Sequence, residues 1–402
     1  MQYVFCHRPV NRFAGKSKSR RSVLLALGYY VHEINVGVAK YARLANWILD
    51  DTTSRNGLVP PGWEGDGIIA LLPSFSVPAL TQTSLIEFVS NSGVPVVDLS
   101  DQFPNLPFPR VLPDNEAIGR LAAEHLISRG FQHFAFYTQD RQAPVVQERM
   151  AGYCAAVKKA GRAFHLVDYS GQMADEKLRN GLLPWLGKQF IHLPKPLAAM
   201  AQFDGEANDI VRACQLVGLK VPGDVAVVGA DNDPIYAELG PVPLSSVVTN
   251  REMIGFKGAE LLDQLMRGVK PPKQPIRIKP DGVIIRQSSD VVAVADEHVA
   301  KAVVFISRNF CQPITVDDVV SAAGSSRRSL YGKFATHVGH SIQREIMRQR
   351  LEHAKHRLNE GNVKLQTIAE ECGLGDASQL SKLFKHHLGV TIAQFRKEHQ
   401  TR

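Results

Sequence analysis

Arg327, Arg328 and Lys333 lie in one short stretch near the C-terminus, and Lys382 and Lys385 lie in another. On helices small enough for the major groove, such cations bind phosphates and base edges. The two stretches repeat one pattern at an offset of fifty, because Leu330, Phe334 and Gly339 match Leu380, Phe384 and Gly389. A second set of reactive types is dispersed: Tyr29-Tyr30 with His32-Glu33, Asp98, Asp114, Asp204 and Asp231-Asn232-Asp233. Each aspartate alone reads equally as a helix cap or turn former; together these residues read as the rim of a ligand pocket.

The elements that must position them follow from periodicity. Val316, Val319, Val320 and Ala323 form one apolar helical face, Gly324 supplies the corner, and Ser325-Ser326 opens a second helix. The other copy has Ile368, Ala369 and Cys372, then Gly373, then a helix through Ser378, Gln379, Leu380 and Lys382. Two such units in tandem imply reading of DNA. With Leu330, Phe334, Leu380, Leu383 and Phe384 inward, Arg328, Tyr331, Ser378, Gln379 and Lys382 face base edges, while Arg327, Lys333 and Lys385 meet phosphate. Upstream, Ser22–Leu27, Gly67–Leu72, Val94–Leu99, His133–Tyr137, Leu197–Phe203 and Val225–Ala230 are near-continuous apolar runs separated by helical patterns. That alternation predicts parallel sheets covered on both faces, with ligands beyond the carboxyl ends of the strands.

Composition places the two activities in different regions. From Asp296 onward there are sixteen Lys and Arg against eleven Asp and Glu, with eight of the 14 histidines, whereas residues 23–295 carry 25 against 28. Residues 1–22 hold six Lys and Arg and no acid, a solvated and disordered basic arm. Cys6, Cys154, Cys214, Cys311 and Cys372 are odd in number, widely spaced and form no CxxC pair, which predicts a reduced, cytoplasmic setting. No apolar run reaches the roughly 20 residues of a membrane span. Lys18-Ser19-Arg20-Arg21 followed by apolar residues imitates a leader, but the run stops at His32-Glu33 without a cleavage site and reads as a buried first strand. Enzyme motifs are poor. Gly15-Lys16-Ser17 imitates a phosphate loop, yet Val10 stands where glycine is needed, and GxGxxG, HExxH and GxSxG are absent. No catalytic residue, metal site or cofactor is expected.

Cys372-Gly373-Leu374, Phe384-Lys385, Gly389-Val390-Thr391 and Phe395-Arg396 resemble the signature of the AraC family of bacterial transcription regulators. The resemblance covers about 105 residues and implies two helix-turn-helix units joined by a long helix. That helix runs roughly from Ser341 to Glu360, with Ile342, Ile346, Leu351, Ala354 and Leu358 inward. Leu374, Gln379-Leu380 and Ile392 depart from the family pattern, which bears on packing and base preference.

The centre resembles the LacI-type regulator core over about 250 residues, through Pro113-Asp114-Asn115, Gly119, Ala122-Ala123-Glu124-His125-Leu126, Gly130, Arg149-Met150-Ala151-Gly152-Tyr153, Phe203-Asp204-Gly205 and Val221-Pro222-Gly223-Asp224 through Asp233. This implies an α/β two-lobed periplasmic-binding-protein-like core, with parallel sheets in Rossmann-like lobes, followed by an all-α C-terminal domain. The expected order is a basic arm at 1–22, the ligand sensor at 23–287, a linker at 288–296 and the DNA-binding domain at 297–402. Arg149, Asp204 and Asp231 would face a sugar, joined by Tyr30 and Glu33 at the first strand end, through charge-assisted hydrogen bonds and ring stacking. Asp231 is expected to matter for the ligand and little for stability.

The combination implies a cytoplasmic homodimer that binds operator DNA in response to D-xylose or a similar sugar. As an activator of pentose (xylose-type) catabolic genes it would also meet RNA polymerase. Sensing of another monosaccharide or a sugar acid fits the same residues. A sugar-modifying enzyme with a helical appendage, or an architectural DNA-binding protein with an empty α/β scaffold, would be distinguished by substrate turnover and by the absence of a ligand.

Overall fold

Apolar runs flanked by polar turn residues become the central strands of two sheets. The computed structural model describes residues 20–53, 62–72, 79–170, 181–291, 296–359 and 363–400. Met1–Ser19, most of the expected basic arm, lie outside the described residues.

One compact unit comprises residues up to Ser100, with 105–110 and 255–274. Its strands β1 (Ser22–Leu27), β2 (Ile48–Asp50), β3 (Gly67–Leu71) and β4 (Val96–Asp98) make an all-parallel sheet in the order β2-β1-β3-β4. Every residue of β3 is buried, as a strand between two covered faces requires. α1 (His32–Ala45) follows β1, Asn46 closes it in the left-handed conformation at φ 57°, and α2 (Ala79–Asn91) lies between β3 and β4. The basic stretch stops short of residue 22: Ser22 already pairs with Ile48 in the sheet, and Arg21 Nη1 donates to Asp263 Oδ1 at 2.9 Å.

The second unit holds 111–254 and everything from Pro275. Six strands, β6 (His133–Thr138), β7 (Ala163–Asp168), β8 (Leu197–Ala201), β9 (Val225–Ala230), β10 (Ser245–Val248) and β12 (Gly282–Ile284), lie in the order β12-β10-β9-β8-β6-β7. All pair in parallel except β12 with β10. A separate short pair joins β5 (Val111–Pro113) to β11 (Ile276–Ile278). Helices α3 (Asn115–Ile127), α4 (Pro144–Lys159), α5 (Leu182–His192), α6 (Asp204–Leu216) and the single turn α7 (Pro234–Ala237) connect the strands. α8 (Arg251–Met266) begins here and continues into the first unit.

A linker starting at residue 288 is not what the chain forms. Gln287–Ser289 is a 3-10 turn whose Ser288 Oγ donates to the Val227 carbonyl, while Ser289 Oγ bonds Ser245 Oγ and lies 2.8 Å from His125 Nε2. Asp290 takes Arg129 Nη1 at 3.3 Å. The buried serine bonds fasten Ser288 and Ser289 to β9 and β10, the exposed Asp290 adds its pair with Arg129, and residues 292–295 lie outside the described residues.

The C-terminal helices have two apolar cores. α9 (Glu297–Asn309), α10 (Val316–Ala323) and α11 (Arg327–Val338) surround the first, with Val319, Ala323, Leu330 and Phe334 buried. α13 (Leu365–Glu371), α14 (Ala377–Leu388) and α15 (Ile392–Gln400) surround the second, around Ile368, Leu380 and Phe384. α12 (Ile342–Asn359) joins them, and its Met347 packs against both. Ile342, Ile346, Leu351, Ala354 and Leu358 are all buried. The turns are built as the residue types dictate: Thr315 and Asp318 form a reciprocal capping box, Gly324 takes φ 62°, and Ser326 and Asp376 cap α11 and α14.

Candidate functional site

β9 is buried along its whole length, and its end delivers Asp231 and Asn232 at φ 101° and 54°. For non-glycine residues such angles cost on the order of 1–3 kcal/mol each and persist only when neighbours over-determine them. Here three backbone N–H groups are fixed in succession: Asp231 donates to Val247 O, Asn232 to Ser246 Oγ and Asp233 to Asp204 Oδ2, at 2.9, 2.9 and 2.8 Å. The Asp231 carboxylate is thereby aimed at two guanidiniums. Arg149 Nη2 reaches Oδ1 at 3.2 Å, and Arg251 Nη2 reaches Oδ2 at 2.5 Å.

Arg149 rides on α4 and is held by every side of its fork. Nε donates to Asn115 Oδ1 at 3.0 Å, Nη1 donates to the Gln202 carbonyl, and the guanidinium lies 4.8 Å from the Phe203 ring centroid. α3 and α4 cross closely enough that only glycine fits at the contact. A Cβ on Gly119 would stand 1.9 Å from the Arg149 carbonyl oxygen, and one on Gly152 would stand 2.0 Å from that of Glu116. The crossing therefore sets where Arg149 enters the site.

Charge follows from burial and partners. Burial alone would raise the Asp231 carboxyl, but Arg251 and Arg149 beside it hold it below the usual carboxylate range. Asp204 goes the other way. It is 1% exposed, and burial pushes it up to about 7 against bonds from Ser246 Oγ (2.6 Å) and the Asp233 N–H. Burial likewise raises Glu206, which accepts from Gln202 Nε2.

Of the five residues expected to meet a sugar, the structure brings together Arg149, Asp204 and Asp231, but with unequal roles. Arg149 and Asp231 are direct partners. Asp204 accepts Ser246 Oγ of β10 on Oδ1 and the Asp233 N–H of the turn after β9 on Oδ2. Tyr30 and Glu33 stand in the first unit: Tyr30 is 64% exposed with its OH 3.2 Å from His32 Nδ1, and Glu33 lies in the first turn of α1. Other rim candidates serve locally. Asp114 caps α3 through Ala117 N–H, Asp233 caps α7 through Ile235 N–H, and Asp98 takes the N–H and Oγ of Ser100. Arg251 was missed by the sequence reading. Its signal was the strand Ser245–Val248 just before it, which overlaps the stretch 243–247 that continues the resemblance, and whose end places Arg251 as Val225–Ala230 places Asp231.

On the helix-turn-helix pair, Arg328 and Tyr331 are exposed on α11, and Ser378, Gln379, Lys382 and Lys385 are exposed on α14. Arg327 lies 5.6 Å over the Tyr331 ring and pairs with Asp317 at 2.9 Å. Lys333 Nζ sits 2.6 Å from Asp296 Oδ2, at the cap of α9. His386, exposed in the last turn of α14, also joins this face. Fully buried Glu345 on α12 accepts from His340 Nε2 at 2.8 Å, from Nε and Nη2 of Arg348 and from Gln349 Nε2. Burial would raise Glu345, but those donors bring it down to about 2. Since His340 immediately follows the Gly339 that ends α11, this bond ties the end of α11 to the linking helix α12.

Two family models match: the periplasmic binding protein-like domain over residues 123–289 and a helix-turn-helix domain over 319–398. The chain combines a periplasmic-binding-protein-like core with an AraC-type helix-turn-helix pair, and the curated relatives it matches are transcription regulators rather than enzymes. More particularly, it is similar to the xylose operon regulatory protein of Escherichia coli K12, 28% identical over 382 residues that cover 91% of this chain and 94% of that protein. The Haemophilus influenzae protein of the same name is 28% identical over 335 residues, covering 82% of this chain and 84% of the relative. The solved structure of a xylose-binding transcription activator, XylR, superposes with a TM-score of 0.57 at 24% identity, over 95% of this chain and 99% of that one. At that identity the superposition speaks to the fold.

Proposed function

We propose that this protein is a sugar-responsive activator of pentose catabolic genes, taking D-xylose or a close relative and binding operator DNA as a homodimer in the cytoplasm, where it would recruit RNA polymerase. The observation that carries the reading is the buried Arg149–Asp231 pair at the carboxyl end of β9, in a chain matched nearly end to end by xylose operon regulatory proteins. An ionised carboxylate beside a planar guanidinium offers acceptors and donors to adjacent sugar hydroxyls, and such charge-assisted bonds are about twice as strong as neutral ones. Asp204, which also fixes the turn that aims Asp231, is a further proposed contact. On the sequence pattern, Tyr30 and Glu33 are further proposed contacts. Arg328, Tyr331, Ser378, Gln379 and Lys382 read base edges, and Arg327, Lys333 and Lys385 hold phosphates.

A ligand can shift DNA binding only by as much as its affinities for the two states differ. The test is therefore a thermal-shift screen of pentoses, hexoses and sugar acids, with and without DNA from the promoter region of neighbouring sugar-catabolism genes. D-xylose should raise the melting temperature and change affinity for that DNA. Stabilisation by none of the sugars would reject the reading. No helix among the described residues is long and apolar enough to cross a membrane.

A further inference from the structure

We propose that Arg251 is a specificity-determining contact of the sugar site, reading the same ligand hydroxyl that donates to Asp231; the inference rests on the sugar-sensor reading above. Asp231 is shared by two guanidiniums that differ in access. The Arg149 and Asp231 side chains are 3% and 7% exposed, whereas Arg251 is 25% exposed, so Arg251 is the member of the trio that faces solvent. A ligand group that bonds Asp231 Oδ2 therefore lies beside Arg251 Nη2, which is already bonded to that oxygen.

The donor and acceptor inventory then determines what fits. A carboxylate offers about four lone-pair positions, so Oδ2 can take a ligand hydroxyl beside its bond to Arg251. A sugar hydroxyl both donates and accepts. One that donates to Oδ2 has its own lone pairs turned toward the neighbouring guanidinium, which has only donors. Arg149 addresses the other oxygen, because its fork is held by Asn115, the Gln202 carbonyl and Oδ1. The first turn of α8 that carries Arg251 is itself anchored: Asn250 sits at φ 57° with its Nδ2 2.9 Å from Asp281 Oδ1. Removing the ligand hydroxyl would leave a buried carboxylate and a guanidinium without the group they both address, and sites built in this way discriminate strongly against the deoxy analogue.

Calorimetric titration of D-xylose and its monodeoxy derivatives into wild type, Arg251→Ala and Arg251→Lys tests the assignment. The Ala variant should bind D-xylose roughly ten- to a hundredfold more weakly, and the Lys variant should recover part of the loss. One monodeoxy sugar should bind wild type and Arg251→Ala equally poorly, because the contact is already gone. Undiminished binding of D-xylose by Arg251→Ala overturns the inference and leaves the sugar reading standing. An equal loss for D-xylose and every deoxy derivative also overturns it, since a merely misplaced Asp231 would act on all of them. If wild type prefers another pentose, the same comparison applies to that sugar. Absence of binding by wild type to D-xylose, L-arabinose, D-ribose and D-glucuronate would remove the sugar reading and this inference together.

Discussion

Ser246 Oγ lies 2.6 Å from Asp204 Oδ1, and through this bond a carboxylate that reads as a ligand contact becomes the post to which the turn after β9 is fastened.

A pH dependence follows. Burial, the largest influence, raises the Asp204 carboxyl to about 7, against the opposing bonds from Ser246 and the Asp233 N–H. A carboxyl whose folded value lies above its unfolded value binds more protons in the folded state. Its contribution to stability is therefore full below about pH 4 and is lost as the pH rises through about 7. Asp204→Asn keeps an acceptor for the Asp233 N–H, and the Ser246 hydroxyl can turn to meet the amide. Urea unfolding of both proteins should show the variant gaining on wild type by on the order of a few kcal/mol between pH 5 and pH 8. A constant difference across that range would mean that Asp204 is ionised in the folded protein throughout.

Asp231→Ala should destabilise the protein as well as abolish the ligand response. The sequence reading assigned this residue little structural weight, but it is the charge partner of an Arg149 side chain that is 3% exposed. Removing one partner of a buried pair costs about 3–5 kcal/mol because the other charge is left uncompensated. Arg149→Met in the same background should restore part of the loss. A melting temperature for Asp231→Ala equal to that of wild type would show that the pair contributes nothing to stability.

What the sequence could reveal tracks how local each signal is. β1 and β9 were read with their observed boundaries because their apolar runs are continuous and end at polar turns. β2, β5, β11 and β12 have three residues each, too few to show a period, and β7 is an edge strand interrupted by His165. The helix-turn-helix pair was legible because glycine corners and capping residues are local devices. The roles of Asp204 and Arg251 were not, because they depend on Ser246 and Asp231, which are 42 and 20 residues away in the chain.

On the DNA-binding face, Arg328→Ala and Lys382→Ala should each relax specificity at one operator position, at about 1–3 kcal/mol, while Lys385→Ala should weaken all sequences and reduce the salt slope by about one. Arg327→Ala should likewise weaken all sequences, while leaving folding stability nearly unchanged, since its pair with Asp317 is exposed on both sides. Competition gel shifts with single-base operator variants at several salt concentrations separate these outcomes. Intact discrimination by both Arg328→Ala and Lys382→Ala would move base reading elsewhere on the helices.

Gly119→Ala should damage ligand binding without touching a ligand contact. The added Cβ would stand 1.9 Å from the Arg149 carbonyl oxygen and 2.8 Å from the Tyr153 nitrogen, both backbone atoms that no rotamer change can move aside. α3 and α4 must therefore separate, and because Arg149 is on α4, its bonds to Asn115 and Asp231 lengthen with the crossing. Overpacking of this kind costs about 1–3 kcal/mol, and more where backbone is the obstacle. Gly205→Ala is the matched control: its Cβ would meet nothing closer than the Tyr236 ring at 3.8 Å, and alanine is the better helix former by about 1 kcal/mol. Melting curves and sugar titrations should therefore show Gly119→Ala losing both stability and affinity, with Gly205→Ala at or above wild-type stability. If Gly119→Ala melts with wild type and binds sugar as well, α3 and α4 do not cross as closely as described, and the crossing is not what places Arg149.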